Sequence, residues 1–546
     1  MAELLYFQPE MAFSPGTARP HQREVVADSV SGKIIKHGAR ADVRAWVNAN
    51  PRTVEVVRGG VLIPGFVDAH NHPFAYSGML ISDPIDGYGV ENKQQLIQML
   101  KVAAKDKEKG AFIVARRLDE VRIKDLTAAD LDEVSTEHKI VVYGLSYHGC
   151  FVNTRALLGV EKRGKEFERR TNYQLQGEIL PNGHLTAEWV QKTWELAEEE
   201  VSVEALAQKT TVAFEDFFRR GITSIHDMDL STSQQFLAWL LIRKTLGKRM
   251  PITRAYLQPK ILEDVLSRVN ELKARGLISS EDDILELLKN RQLGLKLYAD
   301  GGLGAHTALL SEPYEDFPNH GQIYHTDEQL NRALDLAVRY QIANIAIHAI
   351  GDQGIWRAVN MARRWKVIAP RAHLDPTKFR IEHFELPTPE ILDAVVELNA
   401  WVVLQPNFLT EFYEYEDRLG QRVDLLCSHR EIMARSIPMM FGSDGMPTSA
   451  LLGIYMAIHS PIQSQSLTFD EAITTYIRSS ATYEDKSRGS LQEGNQADLV
   501  ILDSKVIPAL QIGGPMYSIE EDEAKKAELD NHVDRVYRQG ELVYKK

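Results

Sequence analysis

The sequence predicts an α/β protein built on a (β/α)8 TIM barrel, with a β-sandwich assembled from both termini. Three observations carry this reading. From Gly221 onward, short apolar runs alternate with helical stretches, the pattern of a parallel sheet. Residues able to hold a metal fall at the ends of those runs, and a (β/α)8 barrel carries its active site at the C-terminal ends of its strands. The two ends of the chain instead hold short β-like runs separated by Gly, Pro and Asn. The competing doubly wound sheet lacks its glycine-rich phosphate loop after an early strand.

Residues 1–62 give the N-terminal part of the sandwich, with β-like runs at 25–30, 33–36 and 54–57 and a short helix at 42–48. Residues 63–77 give the first barrel strand, because Val61-Leu62-Ile63-Pro64-Gly65-Phe66-Val67-Asp68-Ala69-His70-Asn71-His72-Pro73 is an apolar run ending in His-x-His. Residues 78–214 alternate helical stretches (93–105, 187–201, 203–218) with strands (111–115, 139–145), and the charged run 161–170 is a solvated loop or helix face. Residues 215–486 complete the barrel with strands at 221–227, 294–302, 342–348, 379–383, 401–405 and 438–444. Helices lie between several of them, at 326–340, 353–365, 389–398 and 470–479. The sequence leaves open which segment supplies the second barrel strand. Residues 487–546 return to the sandwich through 497–503 and a hairpin-like pair, 533–537 and 541–544, around Gln539-Gly540.

Of the 546 residues, 44% are apolar, enough for large cores, and 63 basic against 76 acidic residues give a net charge of −13. Nucleic acid and anionic membranes both require a basic surface, so neither is the expected partner. Two cysteines, Cys150 and Cys427, exclude a disulfide framework and a thiolate zinc cluster. The N-terminus has no basic start or apolar core, and no apolar run approaches membrane-spanning length. The expectation is a cytoplasmic protein acting on a small molecule. A homodimer is left open.

Residues two apart in a strand point to one side, so His70 and His72 can aim two imidazoles at one point. Three later apolar runs end on His348, His383 and Asp444. Imidazole and carboxylate ligands without thiolate suit Zn²⁺, with Mn²⁺, Fe²⁺, Co²⁺ or Ni²⁺ as alternatives. Lys296 stands between Leu295 and Leu297. Burial there lowers its pKa and favours the neutral amine, which can take up carbon dioxide as a carbamate.

The segment PGFVDAHNHP, with the runs ending in His348, His383 and Asp444, is similar to the amidohydrolase superfamily and more narrowly to its YtcJ-like (amidohydrolase-3) branch, over about residues 61–543. The resemblance implies that 78–214 is an inserted α/β lobe capping the barrel mouth. It also implies that the stretch from Tyr147-His148-Gly149 to Asn153 approaches the site. It supports a binuclear centre: one metal on His70, His72 and Asp444, the other on His348 and His383, with carboxylated Lys296 and a hydroxide between them. A single metal is the alternative. The common reaction of that family is hydrolysis of an amide-type C–N bond in N-acyl amines or cyclic amides.

Asp444, His383 and His148 are the candidate catalytic residues. Asp444 can take a proton from the attacking water and pass it to the leaving nitrogen, and His148 can donate to the oxyanion. Asp352 and Glu382 flank ligands and can orient an imidazole. His148, His306 and residues 405–408 are pocket candidates, with Phe412, Tyr413 and Tyr415 beside them. The same cage could open a lactone or ester, or remove a carboxyl group without oxidation. A silent binding protein is a further alternative, and a serine hydrolase lacks its G-x-S-x-G motif.

Overall fold

Gly65 divides what reads as one apolar run into two strands of different sheets. The computed structural model describes residues 2–15, 23–81, 84–119, 122–144, 147–171, 174–175, 177–198 and 201–546. In it, Val61–Pro64 pairs antiparallel with Leu499–Leu502 of the C-terminal segment, whereas Phe66–Asn71 pairs parallel with Ile222–Asp227. A side chain at Gly65 would stand 2.2 Å from Thr223 Oγ1, so only glycine lets the chain cross between the sheets here. The first barrel strand therefore begins at Phe66, and the segment before it belongs to the sandwich.

Eight parallel strands form the barrel: β1 (Phe66–Asn71), β2 (Ile222–Asp227), β3 (Ile252–Leu257), β4 (Leu293–Tyr298), β5 (Ile345–Ala349), β6 (Phe379–His383), β7 (Trp401–Leu404) and β8 (Met439–Phe441). The ring nearly closes between β8 and β1, where Asp444 N donates to His70 O at 2.7 Å. Strand β2 is the segment after Gly221. Strand β3 is an element that apolar patterning does not mark, because Thr253 and Arg254 interrupt the run Ile-Thr-Arg-Ala-Tyr-Leu.

Two sheets make the sandwich. One has the order Lys33–Ala39, Arg23–Asp28, Leu4–Gln8, Val54–Arg58; the other has Met11–Ala12, Val61–Pro64, Leu499–Leu502, Val533–Arg538, Glu541–Lys545. Leu5, Phe7, Val25 and Ile34 of the first pack on Leu62, Leu499, Ile501 and Tyr537 of the second. Gln539 and Gly540 link the last two strands with φ of 48° and 73°, the left-handed pair that a tight hairpin requires.

The lobe holds a five-stranded mixed sheet with Phe112–Leu118, Lys139–Gly144 and Gly149–Val152 at its centre. Leu145, in the sequence-based strand 139–145, lies outside the described residues. Helix Val203–Arg219 buries Leu206, Phe214 and Phe217 in the barrel core. The expected lobe boundary at 214 thus falls inside a barrel helix, whose apolar face decides where it packs. Among the described residues no helix is long and apolar enough to cross a membrane.

Candidate active site

The C-terminal ends of β1, β4, β5, β6 and β8 converge. His70 and His72 leave β1, Lys296 lies in β4, His348 in β5, His383 ends β6, and Asp444 follows β8. One ligand atom each of His70, His72 and Asp444 lies within 4.8 Å of the other two. His72 Nε2 is 3.1 Å and His70 Nε2 3.7 Å from Asp444 Oδ1. The ring of His383 is 4.7 Å from that of His70 and 4.4 Å from that of His348. His383 and Asp444 both take positive φ, 69° and 54°, a conformation uncommon for such residues and frequent at functional sites.

Asp68 fixes the β1–β8 seam. It accepts from Ser443 N at 3.0 Å and Asn71 Nδ2 at 2.9 Å, and from the Ser443 hydroxyl. Glu382 accepts from His70 Nδ1 at 2.7 Å, which directs the His70 Nε2 lone pair at the cluster. Asp352 meets no imidazole among the described residues; it accepts from Ser311 N at 2.9 Å. Asp300 takes a tying role instead, accepting from Leu309, Ile350 and Gly351 N. His348 Nε2–H donates to Gly301 O at 3.0 Å, leaving Nδ1 as its acceptor nitrogen.

Lys296 is 1% exposed and His70, His348 and His383 no more than 3%. Burial holds the Lys296 amine below its usual range against the pull of Glu382 and Asp444. It forms no ion pair among the described residues, neither with Asp300 nor with Asp227, and its Nζ lies 4.9 Å from the Tyr298 ring. Burial, then Lys296, pushes His70 well down. Burial pushes Asp444 up, but His70 and His72 outweigh it and keep the carboxylate ionised.

His148 arrives from the lobe, its ring 5.1 Å from that of His348, and burial lowers it to about 4. Above the cluster opens a cavity of about 790 Å³, whose walls include Tyr298, Tyr324, Asn407, Phe408 and Tyr415. Gln405, Phe412 and Tyr413 are not among its lining residues, and neither is His306. His306 is held by Asp316 at 2.9 Å against Tyr314. Its loop closes on itself, and ten residues of separation gave no sign of that pairing.

The residues present suit a divalent cation. His70 Nε2 and His383 Nδ1 are buried with no hydrogen-bond partner among the described residues, a costly state for a polar atom that a cation relieves. Histidines and an aspartate gathered at the C-terminal mouth of a barrel define the class of metal-dependent hydrolases. The chain belongs to the amidohydrolase family, whose model matches residues 57–544. It is 27% identical over 483 residues to YtcJ of Bacillus subtilis (strain 168), whose name assigns it to the amidohydrolases, covering 83% of this chain and 86% of that one. It is 22% identical over 514 residues to the N-substituted formamide deformylase of Arthrobacter pascens, covering 86% of this chain and 88% of that one. Its fold is similar to a metal-dependent hydrolase from Pyrococcus horikoshii OT3, with a TM-score of 0.68 and 23% identity, covering 92% of this chain and 97% of that one.

Proposed function

We propose that this chain hydrolyses an amide-type C–N bond of a small N-acyl or N-substituted amide. The observation that carries the reading is the convergence of His70, His72 and Asp444 beside the His348–His383 pair, with His72, His348, His383 and Asp444 lining one cavity. His70, His72 and Asp444 would hold one divalent cation, most simply Zn²⁺, and His348 and His383 a second, with Lys296 serving both as a carbamate. Such cations supply carbonyl polarisation and lower the pKa of a coordinated water to about 7.

The chain's own groups supply the rest. Asp444, ionised and facing His72, accepts the proton of the attacking water and delivers it to the leaving nitrogen. His148, neutral at working pH, is a hydrogen-bond donor for the carbonyl oxygen as charge develops there. Glu382 keeps His70 in the tautomer whose Nε2 is a lone pair. Tyr298, stacked 4.8 Å from Tyr324, and Phe408 form apolar walls that exclude water from the acyl group. The similarity to a formamide deformylase supports a C–N rather than a C–O bond.

The test is a panel of N-formyl and N-acetyl amines with matched esters and carboxylic acids, followed by amine, alcohol and carbon dioxide release. Amine release that stops on chelation and returns with added cation is expected. Turnover confined to esters, or release of carbon dioxide alone, would refute the amide reading.

A further inference from the structure

At the opposite, N-terminal end of the barrel lies a second cavity of about 480 Å³, between the starts of β3 and β4 and the sandwich. Its lining carries five arginines, Arg243, Arg254, Arg291, Arg488 and Arg538, against two carboxylates, Glu484 and Asp485. Both carboxylates are already engaged. Glu484 accepts from Arg488, from Ser224 Oγ and from His226 Nε2 at 2.8 Å. Asp485 accepts from Ser487 N and Oγ, each at 2.9 Å. Asp498, buried beside them, is shared by Arg488 and Arg538 at 3.1 and 3.3 Å.

The remaining guanidinium groups are left short of anions. Arg254 reaches Glu484 only at 3.9 Å and otherwise donates to the carbonyls of Arg291 and Glu484. Arg243 lies over the Trp239 ring and donates to Gln292. Among the described residues neither Arg243 nor Arg291 has a carboxylate within ion-pair distance. Arg254 Nε and Arg538 Nε are buried with no hydrogen-bond partner among the described residues. Burial, with no carboxylate to offset it, lowers Arg243. Uncompensated cations in a cavity are unfavourable, and a chain of net charge −13 gains nothing in solubility from collecting them here.

We infer that this cavity is a binding site for a phosphate group, either inorganic phosphate or the phosphate of a small phosphorylated metabolite. Guanidinium forks match the spread of oxygens on such an anion and bind it with charge-assisted hydrogen bonds. The site is separate from the catalytic mouth and does not depend on the reaction assigned there. Its wall includes Glu484, which is linked through His226 and Arg380 to Glu382 and His70.

The test is calorimetric titration of the metal-loaded protein with inorganic phosphate and with glycerol phosphate, against chloride at matched ionic strength. Saturable binding is expected, weakened about tenfold or more in Arg243→Gln/Arg291→Gln. These two side chains have no carboxylate partner, so folding tolerates their loss; Arg291→Gln alone gives a second measure. Tighter binding of the ester assigns the cavity to a phosphorylated metabolite, and equal binding assigns it to the free anion. No saturable binding, or binding that the substitutions leave unchanged, overturns the inference.

Discussion

Glu382 and His70, 312 residues apart in sequence, meet at 2.7 Å inside the barrel. Arg380, two residues before Glu382 on β6 and fully buried, holds the same carboxylate through Nη2 at 2.9 Å. Its Nη1 donates to His226 Nδ1 at 2.7 Å, and His226 Nε2–H donates to Glu484 at 2.8 Å. A polar chain thus runs down the barrel interior from a candidate metal ligand to Glu484 at the other end. It fixes the His70 ring and tautomer from outside the candidate ligand cluster.

Glu382→Gln should therefore weaken metal binding by about 10–100-fold, the range for loss of a carboxylate that orients a ligating histidine. Metal competition with a chromogenic chelator measures this on folded protein, checked by circular dichroism. Unchanged affinity would show that His70 does not depend on Glu382.

Asp444→Asn keeps the imidazoles but removes the proposed proton acceptor. Turnover should fall by about 10²–10⁴-fold, while metal content by atomic emission stays close to that of the parent. A variant turning over at near the parent rate would remove Asp444 from the proton path.

Lys296 offers a direct readout. Intact mass of gently handled protein should show an added carbon dioxide that is lost on acidification, and Lys296→Met should lose both that mass and the second cation. A bare amine in fully metal-loaded protein would leave a site with one cation.

The candidate cluster was legible because His70, His72, His348, His383 and Asp444 each stand at the end of an apolar run, and position at a strand end is visible in one dimension. The interior chain from His70 to Glu484 was legible only at Glu382, which flanks His383 and reads as a group able to orient an imidazole; His226, which lies 154 residues from Arg380 and 258 from Glu484, gives no such sign. Arg380, between Phe379 and Ile381, shows the same oddity as Lys296 between two leucines. A cation in an apolar strand was the available signal for both. Strand β3 escaped because Arg254 in its middle points to Glu484 and the carbonyl of Arg291, so tertiary pairing overrides apolar patterning there. His306, in Gly304-Ala305-His306-Thr307-Ala308, was read as a pocket residue. Its bond to Asp316 turns it away.

Away from the metal site, Glu198 is 4% exposed and accepts from Gln235 Nε2 at 2.6 Å and from Thr232 Oγ1. Burial raises its carboxyl to about 7 against those hydrogen bonds. The folded state therefore holds this proton more tightly than the unfolded chain. Its contribution is complete below the ordinary range near 4.5 and is lost as pH rises through about 7, a change on the order of 3 kcal/mol. Glu198→Gln mimics the protonated form. Its thermal midpoint should fall less than that of the parent between about pH 5 and pH 8. Parallel curves would contradict a buried, protonated Glu198.

The seam where the barrel nearly closes is sensitive to a small change. A methyl group on Gly442 would sit 2.4 Å from His70 N and 2.6 Å from His70 Cβ. Both belong to the backbone end of a ligand already pinned by Asp68, Glu382 and the Asp444–His70 hydrogen bond. Neither strand can retreat without moving His70 relative to Asp444. Gly442→Ala should cost about 1–3 kcal/mol of stability from overpacking, and it should also lower metal affinity. Gly65→Ala, equally crowded but against Thr223 in the sandwich-to-barrel crossing, should destabilise by a similar amount while leaving metal affinity in the folded protein close to the parent. Denaturant midpoints and metal titration on the two variants separate strand packing from ligand geometry. Equal metal affinity in both would mean that the seam does not set the distance between His70 and Asp444.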